Sequence, residues 1–157
     1  MLGIVLALIA ATACAVTTPN GVTARGAEYD AGPGSHGNEQ LSAGPFGIPG
    51  NGTFVFQPGG PGFVTRGGAL GHKFGWQMAV GGRFTVEGRR LDGPGAPLRA
   101  DNATGQLVAP GFHATALIFP TPGCWEVTAR VGDASLTFVV SAVKVGDGPS
   151  WHRDELP

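Results

Sequence analysis

The sequence predicts an all-β fold in which two antiparallel sheets pack as a β-sandwich. Short apolar runs recur between clusters of Gly and Pro, none of them has helical spacing, and the C-terminal half alternates apolar with polar residues. The 28 Gly and 13 Pro make up about a quarter of the 157 residues, while the apolar fraction is 42%. Six to eight short strands at such intervals indicate a sandwich of the immunoglobulin-like type.

An export signal is predicted at the N-terminus. Residues 2–13 are apolar apart from Gly3 and Thr12. This run is too short to cross a bilayer as a helix, but it is typical of the apolar part of a secretory signal peptide. Small residues stand at its end, where a signal peptidase cuts, although no Lys or Arg precedes it. We therefore predict a signal peptide at residues 1–14 and an exported protein of the cell envelope.

Cys14 is the predicted lipid attachment site. Ala-Thr-Ala-Cys at residues 11–14 resembles a bacterial lipobox, whose cysteine is diacylated. Three forms remain open from the sequence: a membrane-anchored lipoprotein, a cleaved secreted protein and an uncleaved anchor. Lipidation would leave Cys124 as the only thiol, whereas a cut before Cys14 would leave two cysteines that could pair.

Composition divides the remaining chain into three parts. Residues 15–49 are interpreted as a linker and irregular segment that contributes little to the core. Residues 50–146 form the predicted sandwich and residues 147–157 a tail. Within the sandwich, Phe84 and Val86 are predicted to be buried because they alternate with polar residues. The first predicted strands are residues 53–56, 63–65, 74–80 and 84–87.

The clearest strand pattern lies at residues 112–145. Three apolar stretches are separated by residues 120–123 and 132–133, and we interpret them as two successive hairpins. Gly-Asp at residues 132–133 is a two-residue connection that permits a primed turn.

Strict alternation in this region predicts which side chains face the core. Odd positions are apolar over residues 125–131, as are even positions over residues 136–142. Trp125 is therefore expected to point inward, and Trp125 and Trp76 are the candidate anchors of the core or of a binding surface.

Three runs carry a resemblance to a known group of proteins. They are Phe-Gln-Pro-Gly-Gly-Pro-Gly-Phe at residues 56–63, Val-Glu-Gly-Arg-Arg-Leu-Asp at residues 86–92 and Phe-Pro-Thr-Pro-Gly-Cys-Trp-Glu-Val at residues 119–127. They resemble those of uncharacterised exported bacterial proteins, among them predicted lipoproteins, with an immunoglobulin-like sandwich. The resemblance covers residues 38–145. It implies a shared fold and no transferable activity.

Neither nucleic acid nor a cofactor is expected. The 10 Lys and Arg nearly balance the 11 Asp and Glu, and no basic face could follow a phosphate backbone. No two histidines have the close spacing of a local metal site, so we expect solvated surface histidines. A metal site would need distant ligands to converge, Met78 among them. The four histidines are His36, His72, His113 and His152.

No catalytic motif is present. The chain lacks a nucleophile elbow, and Cys124 is interpreted as a partly buried structural thiol rather than a nucleophile. The carboxylates Glu87, Asp92, Asp101 and Glu126 are too scattered to nominate a pair. The sequence predicts a non-catalytic exported envelope protein with a binding or structural role. Its partner would be another envelope protein or a ligand, and a lipid anchor would add the membrane. The alternatives are a periplasmic metal-binding protein and, less favoured, a hydrolase.

Overall fold

The computed structural model describes residues 14–17, 23–25, 36–43 and 52–146, and all regular secondary structure in these ranges is β. The predicted signal peptide up to residue 13 and the tail from residue 147 lie outside the described residues. No helix in the described part of the chain is long and apolar enough to span a bilayer. The strands are β1 (Ala15–Thr17), β2 (Thr23–Arg25), β3 (His36–Gly37), β4 (Leu41–Ala43), β5 (Thr53–Phe56), β6 (Phe63–Val64), β7 (Leu70–Met78), β8 (Gly82–Arg90), β9 (Arg99–Asp101), β10 (Thr104–Val108), β11 (Gly111–Phe119), β12 (Gly123–Val131) and β13 (Ala134–Lys144).

Two large sheets pack together as a sandwich. The five-stranded sheet has the order β10-β8-β12-β13-β5, antiparallel except for the β13–β5 pair. The six-stranded sheet has the antiparallel order β3-β4-β7-β11-β9, and β6 also pairs with β7. Among the described residues, strands β1 and β2 pair with each other and with no other strand. This architecture confirms the predicted all-β sandwich, whereas the finer immunoglobulin-like assignment stays a prediction.

The core lies between the two sheets and is rich in aromatic side chains. Phe74 of β7 stacks on Phe138 of β13 across the sandwich, with ring centroids 5.6 Å apart. Burial of each such side chain contributes about 1.5 to 3 kcal/mol. The largest fully buried side chains are Trp76, Trp125, Phe54, Phe56, Phe74, Phe84, Phe119 and Phe138.

Both candidate tryptophans belong to this core. Trp76 and Trp125 are fully buried. The Trp76 Nε1–H donates to Thr115 Oγ1 at 3.0 Å, and the Trp125 Nε1–H donates to the Thr121 carbonyl oxygen at 3.1 Å. Each indole N–H therefore has the partner that burial demands. They are core anchors rather than surface anchors.

The predicted hairpin of β12 and β13 is confirmed. Val131 pairs with Ala134, so Gly132 and Asp133 form the connection, and Gly132 adopts a φ of 54° that favours glycine. The odd positions of β12 and the even positions of β13 face the core as the alternation predicts.

The other predicted hairpin, between the stretches that form β11 and β12, is wrong. Strand β11 pairs with β7 and β9, whereas β12 pairs with β13 and β8, so residues 120–122 cross from one sheet to the other. Pro120 and Pro122 lack the N–H that a sheet ladder needs. Phe119 and Trp125 meet edge to face in the core, with centroids 5.9 Å apart. Alternation predicts which side of a strand is buried, but not which strand lies beside it.

Strand β4 corrects the interpretation of residues 15–49. It pairs with β7, and Leu41 and Ala43 are fully buried in the core. The Asn38 side chain accepts the backbone N–H groups of Gln40 and Leu41, both at 2.9 Å, which fixes the turn before the strand. The prediction that this segment contributes little to the core is therefore wrong at β4.

Candidate functional site

Cys14 and Cys124 form a disulfide bond across 110 positions of the sequence. Because Trp125 points inward, Cys124 lies on the outer face of the five-stranded sheet, where it is 9% exposed. The Cys14 sulfur lies 3.9 Å from the Val140 carbonyl oxygen. On the same outer face Val139 is fully buried, and β2 lies against β13. The disulfide thus fastens the start of the described chain to this sheet.

This bond bears on both cysteine predictions. A sulfur in a disulfide cannot also carry a thioether-linked lipid, so diacylation of Cys14 and this disulfide exclude each other. The lipid site at Cys14 stays a prediction, for a form of the protein that lacks this bond. Cys124 is a disulfide cysteine here rather than the expected structural thiol.

A tight contact holds the backbone beside this bond. Gly123 has a φ of 146°, and a Cβ there would lie 2.8 Å from Asp92 Oδ1. Asp92 Oδ1 accepts from Arg90 Nε at 2.7 Å. Burial raises the pKa of Asp92, but hydrogen bonds from Arg90 and from the Cys124 backbone hold it below its usual range. Residues 86–92 and 119–127, two of the three runs that carry the resemblance to exported bacterial proteins, therefore meet at the contact between Asp92 and Gly123.

His72 and His113, expected as solvated surface histidines, are half-buried. The His72 ring lies 4.7 Å from the Phe54 ring, and its Nδ1–H donates to the Lys73 carbonyl oxygen at 2.6 Å. Burial lowers the pKa of His72. His113 is half-buried, with Nε2 2.7 Å from the Ala109 carbonyl oxygen. Both residues occupy inward positions of their strands.

The metal-binding alternative gains no ligand cluster. Within the described ranges no three His, Cys, Asp or Glu side chains lie close enough to hold a metal ion. Met78 is buried in the core. The His36 side chain and His152 lie outside the described part, so this alternative stays a prediction.

The structure pairs each candidate carboxylate with an arginine. Glu126 and Arg89 on neighbouring strands lie 2.7 Å apart, and Glu87 and Arg130 lie 3.6 Å apart. Asp92 pairs with Arg90, and Asp101 with Arg99.

The outer face of the five-stranded sheet is therefore polar where β8 meets β12. A groove of about 550 Å³ runs along these ion pairs, with Pro97 and Leu98 at its side. The Thr128 and Thr137 hydroxyls are hydrogen-bonded at 2.9 Å. Cross-strand charge and hydroxyl pairs of this kind are typical of a solvated sheet face.

The outer face of the six-stranded sheet is different. Strands β7 and β11 oppose each other in register, and only two of their outward side chains are polar. The pairs from one end to the other are Gln77 with Phe112, Gly75 with Ala114, Lys73 with Ala116, and Gly71 with Ile118. We call this strip, with Phe63 and Pro61 at its Gly71 end, the apolar trough. Ala116 and Ile118 are buried, so its open part is lined by Phe112, Ala114, Gly75, Lys73 and Pro61.

The depth of the apolar trough comes from the sizes of its residues. Gly75 and Ala114 form a floor beside Phe112, which is 48% exposed. At the other end the Phe63 ring lies over Gly71, and any Cβ at that glycine would overlap the ring. The depression has a volume of about 430 Å³ and an almost wholly apolar lining. This volume is within the range of small-molecule sites.

Sequence reasoning did not identify the apolar trough, although a signal was present. Residues 114–119 are apolar or weakly polar at every position, which departs from the alternation of a strand with one solvated face. The glycines on the β7 side, Gly71 and Gly75, gave no signal, because glycines are frequent throughout this turn-rich chain.

Comparison with known proteins identifies no family. No protein-family model matches the chain, and no curated protein matches it either. The chain is similar to the crystal structure of a putative lipoprotein from Bacillus anthracis, with 12% identity, 69% of this chain and 76% of that chain covered, and a TM-score of 0.42. A similarity this distant carries no argument about function.

Proposed function

We propose that this chain is an exported, non-catalytic β-sandwich that binds a partner through its apolar trough. The observation that carries the proposal is the contrast between the two outer faces. Ion pairs cover the centre of one, as expected for a solvated sheet, whereas the other has an apolar depression with a half-exposed aromatic ring. Contiguous exposed apolar surface commonly marks a binding site.

Two observations support export. The apolar run at residues 2–13 is typical of a signal peptide. The Cys14–Cys124 disulfide suits an oxidising compartment, since such bonds are rare in the cytosol. We favour a secreted form that retains Cys14. The second candidate is a membrane-anchored lipoprotein, which the lipobox-like residues 11–14 favour.

The proposed topology is immunoglobulin-like. The first strand of the five-stranded sheet in chain order, β5, pairs in parallel with its last strand, β13, and the β11–β12 connection crosses between the sheets. Both features support this finer assignment.

Export is tested on the full chain expressed in a bacterium and fractionated. We expect the mature protein outside the cytoplasm, with Cys14 present and neither cysteine reactive toward a thiol reagent until a reductant is added. A diacylated Cys14 in the membrane fraction would support the lipoprotein instead. A reduced, unprocessed protein in the cytoplasm would contradict export.

The binding surface is tested with a hydrophobic fluorescent dye and two matched variants. Phe112→Ser should reduce dye binding, because it removes one wall of the apolar trough. Leu107→Ser is the control, since Leu107 on β10 is 78% exposed and outside the apolar trough. Equal effects of the two variants, or no effect of Phe112→Ser, would reject the apolar trough as the binding surface.

A further inference from the structure

We propose that the apolar trough binds single molecules of an anionic amphiphile, such as a long-chain carboxylate. Its tail lies along the floor between Phe112 and Pro61, and its acidic head group lies at Lys73. This inference rests on the proposed function, because it names the ligand class of the same surface.

The size and the apolar lining of the depression suit a hydrocarbon tail. The depression lies between Phe112 and Pro61. Its floor consists of Gly75 and Ala114, whereas Ala116 and Ile118, further along the same strand, are buried. The half-exposed Phe112 ring forms an aromatic wall for the tail, and Lys73 is beside the floor.

The charge on this face suits an anion. Lys73 is exposed and has no ion pair with any described carboxylate. Its neighbours in the sheet on the same face are Gly71, Gly75 and Ala116. Across the sheet, Lys73 lies opposite Ala116, and Ala116 lies opposite Asp101 on β9. Asp101 forms its own ion pair with Arg99. One positive charge therefore remains uncompensated at the edge of the apolar trough.

On the outer face of the five-stranded sheet, by contrast, positive charges are compensated by ion pairs. There Arg89 and Arg130 each have a carboxylate partner on the neighbouring strand. An ammonium group next to an apolar floor could instead form a charge-assisted hydrogen bond with an acidic head group, while the tail buries apolar surface. A cationic amphiphile with the same tail would meet charge repulsion.

The test compares three probes with the same tail, all below their critical micelle concentrations: dodecanoate, dodecyl maltoside and dodecyltrimethylammonium. Calorimetric titration of the full chain should give dodecanoate the highest affinity, at least about tenfold above the cationic probe, as expected for one charge-assisted hydrogen bond. Lys73→Glu should abolish or reverse this preference. Ala114→Leu should weaken binding of dodecanoate and dodecyl maltoside alike, because it fills the floor.

Controls separate the two levels of the proposal. Arg130→Glu changes a charge on the opposite sheet and should leave all affinities unchanged, and thermal melts should confirm that every variant folds. Equal affinity for all three probes, still lost in Ala114→Leu, would overturn the anionic ligand but keep the apolar trough as a binding site. If no probe binds, or if Ala114→Leu leaves the affinities unchanged, both the anionic ligand and the apolar trough as the binding site are overturned. Binding to phosphatidylglycerol vesicles without binding of dodecanoate would also overturn the proposal.

Discussion

Truncation of Trp125 to alanine should destabilise the sandwich strongly. Its indole is fully buried, packs edge to face on Phe119 with centroids 5.9 Å apart, and donates its N–H to the Thr121 carbonyl oxygen. Alanine would leave a cavity between the sheets and remove the donor for that carbonyl. For a buried aromatic residue the expected cost is about 3 to 5 kcal/mol. The free energy of unfolding of a typical domain is about 5 to 15 kcal/mol, so this loss is a large part of its stability.

Denaturant and thermal unfolding of the two proteins measure this cost. At about 4 °C or more per kcal/mol for a domain of this size, the midpoint of Trp125→Ala should fall by about 12 °C or more. Arg130→Ala, on the opposite face of the same strand, is the matched control. Its ion pair with Glu87 is exposed, so its cost should stay within about 0.5 kcal/mol. An unchanged midpoint for Trp125→Ala, or a larger loss for Arg130→Ala, would show that Trp125 does not face the core.

Three further predictions concern the disulfide, a buried histidine and a strained glycine. Reduction of Cys14–Cys124 should lower the free energy of unfolding by about 2 to 5 kcal/mol, and equal urea midpoints with and without reductant would contradict this. Burial lowers the pKa of His72 in the folded state. The contribution of neutral His72 to the free energy of unfolding is therefore complete above its ordinary pKa of about 6.5, and it is lost as the pH falls through the lower pKa of the folded state. His72→Phe should flatten this pH dependence in urea melts, and an unchanged slope would show that other groups cause it. Gly123→Ala should cost about 1 to 3 kcal/mol in the same melts, because its φ is positive and a Cβ would collide with Asp92; a neutral substitution would argue against this backbone geometry.

The burial pattern was largely predictable from the sequence. Where one face of a strand is solvated and the other is buried, the alternation of apolar and polar residues predicts which side chains point to the core. This prediction was correct for Trp125, Phe84 and Val86. The hairpin at Gly132 was also predictable, because a two-residue connection with a glycine leaves few geometries.

Sheet membership was not predictable in the same way. A strand that crosses to the facing sheet has the same alternation as one that folds back on its neighbour, so the route taken after Phe119 is not visible in the pattern. Strand β4 was missed because a three-residue strand offers too few positions for a period. Its place is set by Leu41 and Ala43 packing against distant parts of the chain.

The candidate site was the least predictable feature. Its floor consists of Gly75 and Ala114, residues whose importance lies in the side-chain volume that they lack. The absence of an acid beside Lys73 depends on the register of three strands. The disulfide was one of the alternatives that cysteine counting left open, and only the fold brings Cys14 to Cys124.

The most direct test of the proposed binding surface is a nuclear magnetic resonance titration of the isotope-labelled protein with dodecanoate, observing the backbone amides. We expect the shift changes to concentrate at Lys73, Gly75 and Ala114 on the six-stranded sheet, while Glu87 and Thr128 on the five-stranded sheet stay unchanged. Shift changes that concentrate on the five-stranded sheet, or no shift changes at all, would contradict the claim that the apolar trough is the binding surface.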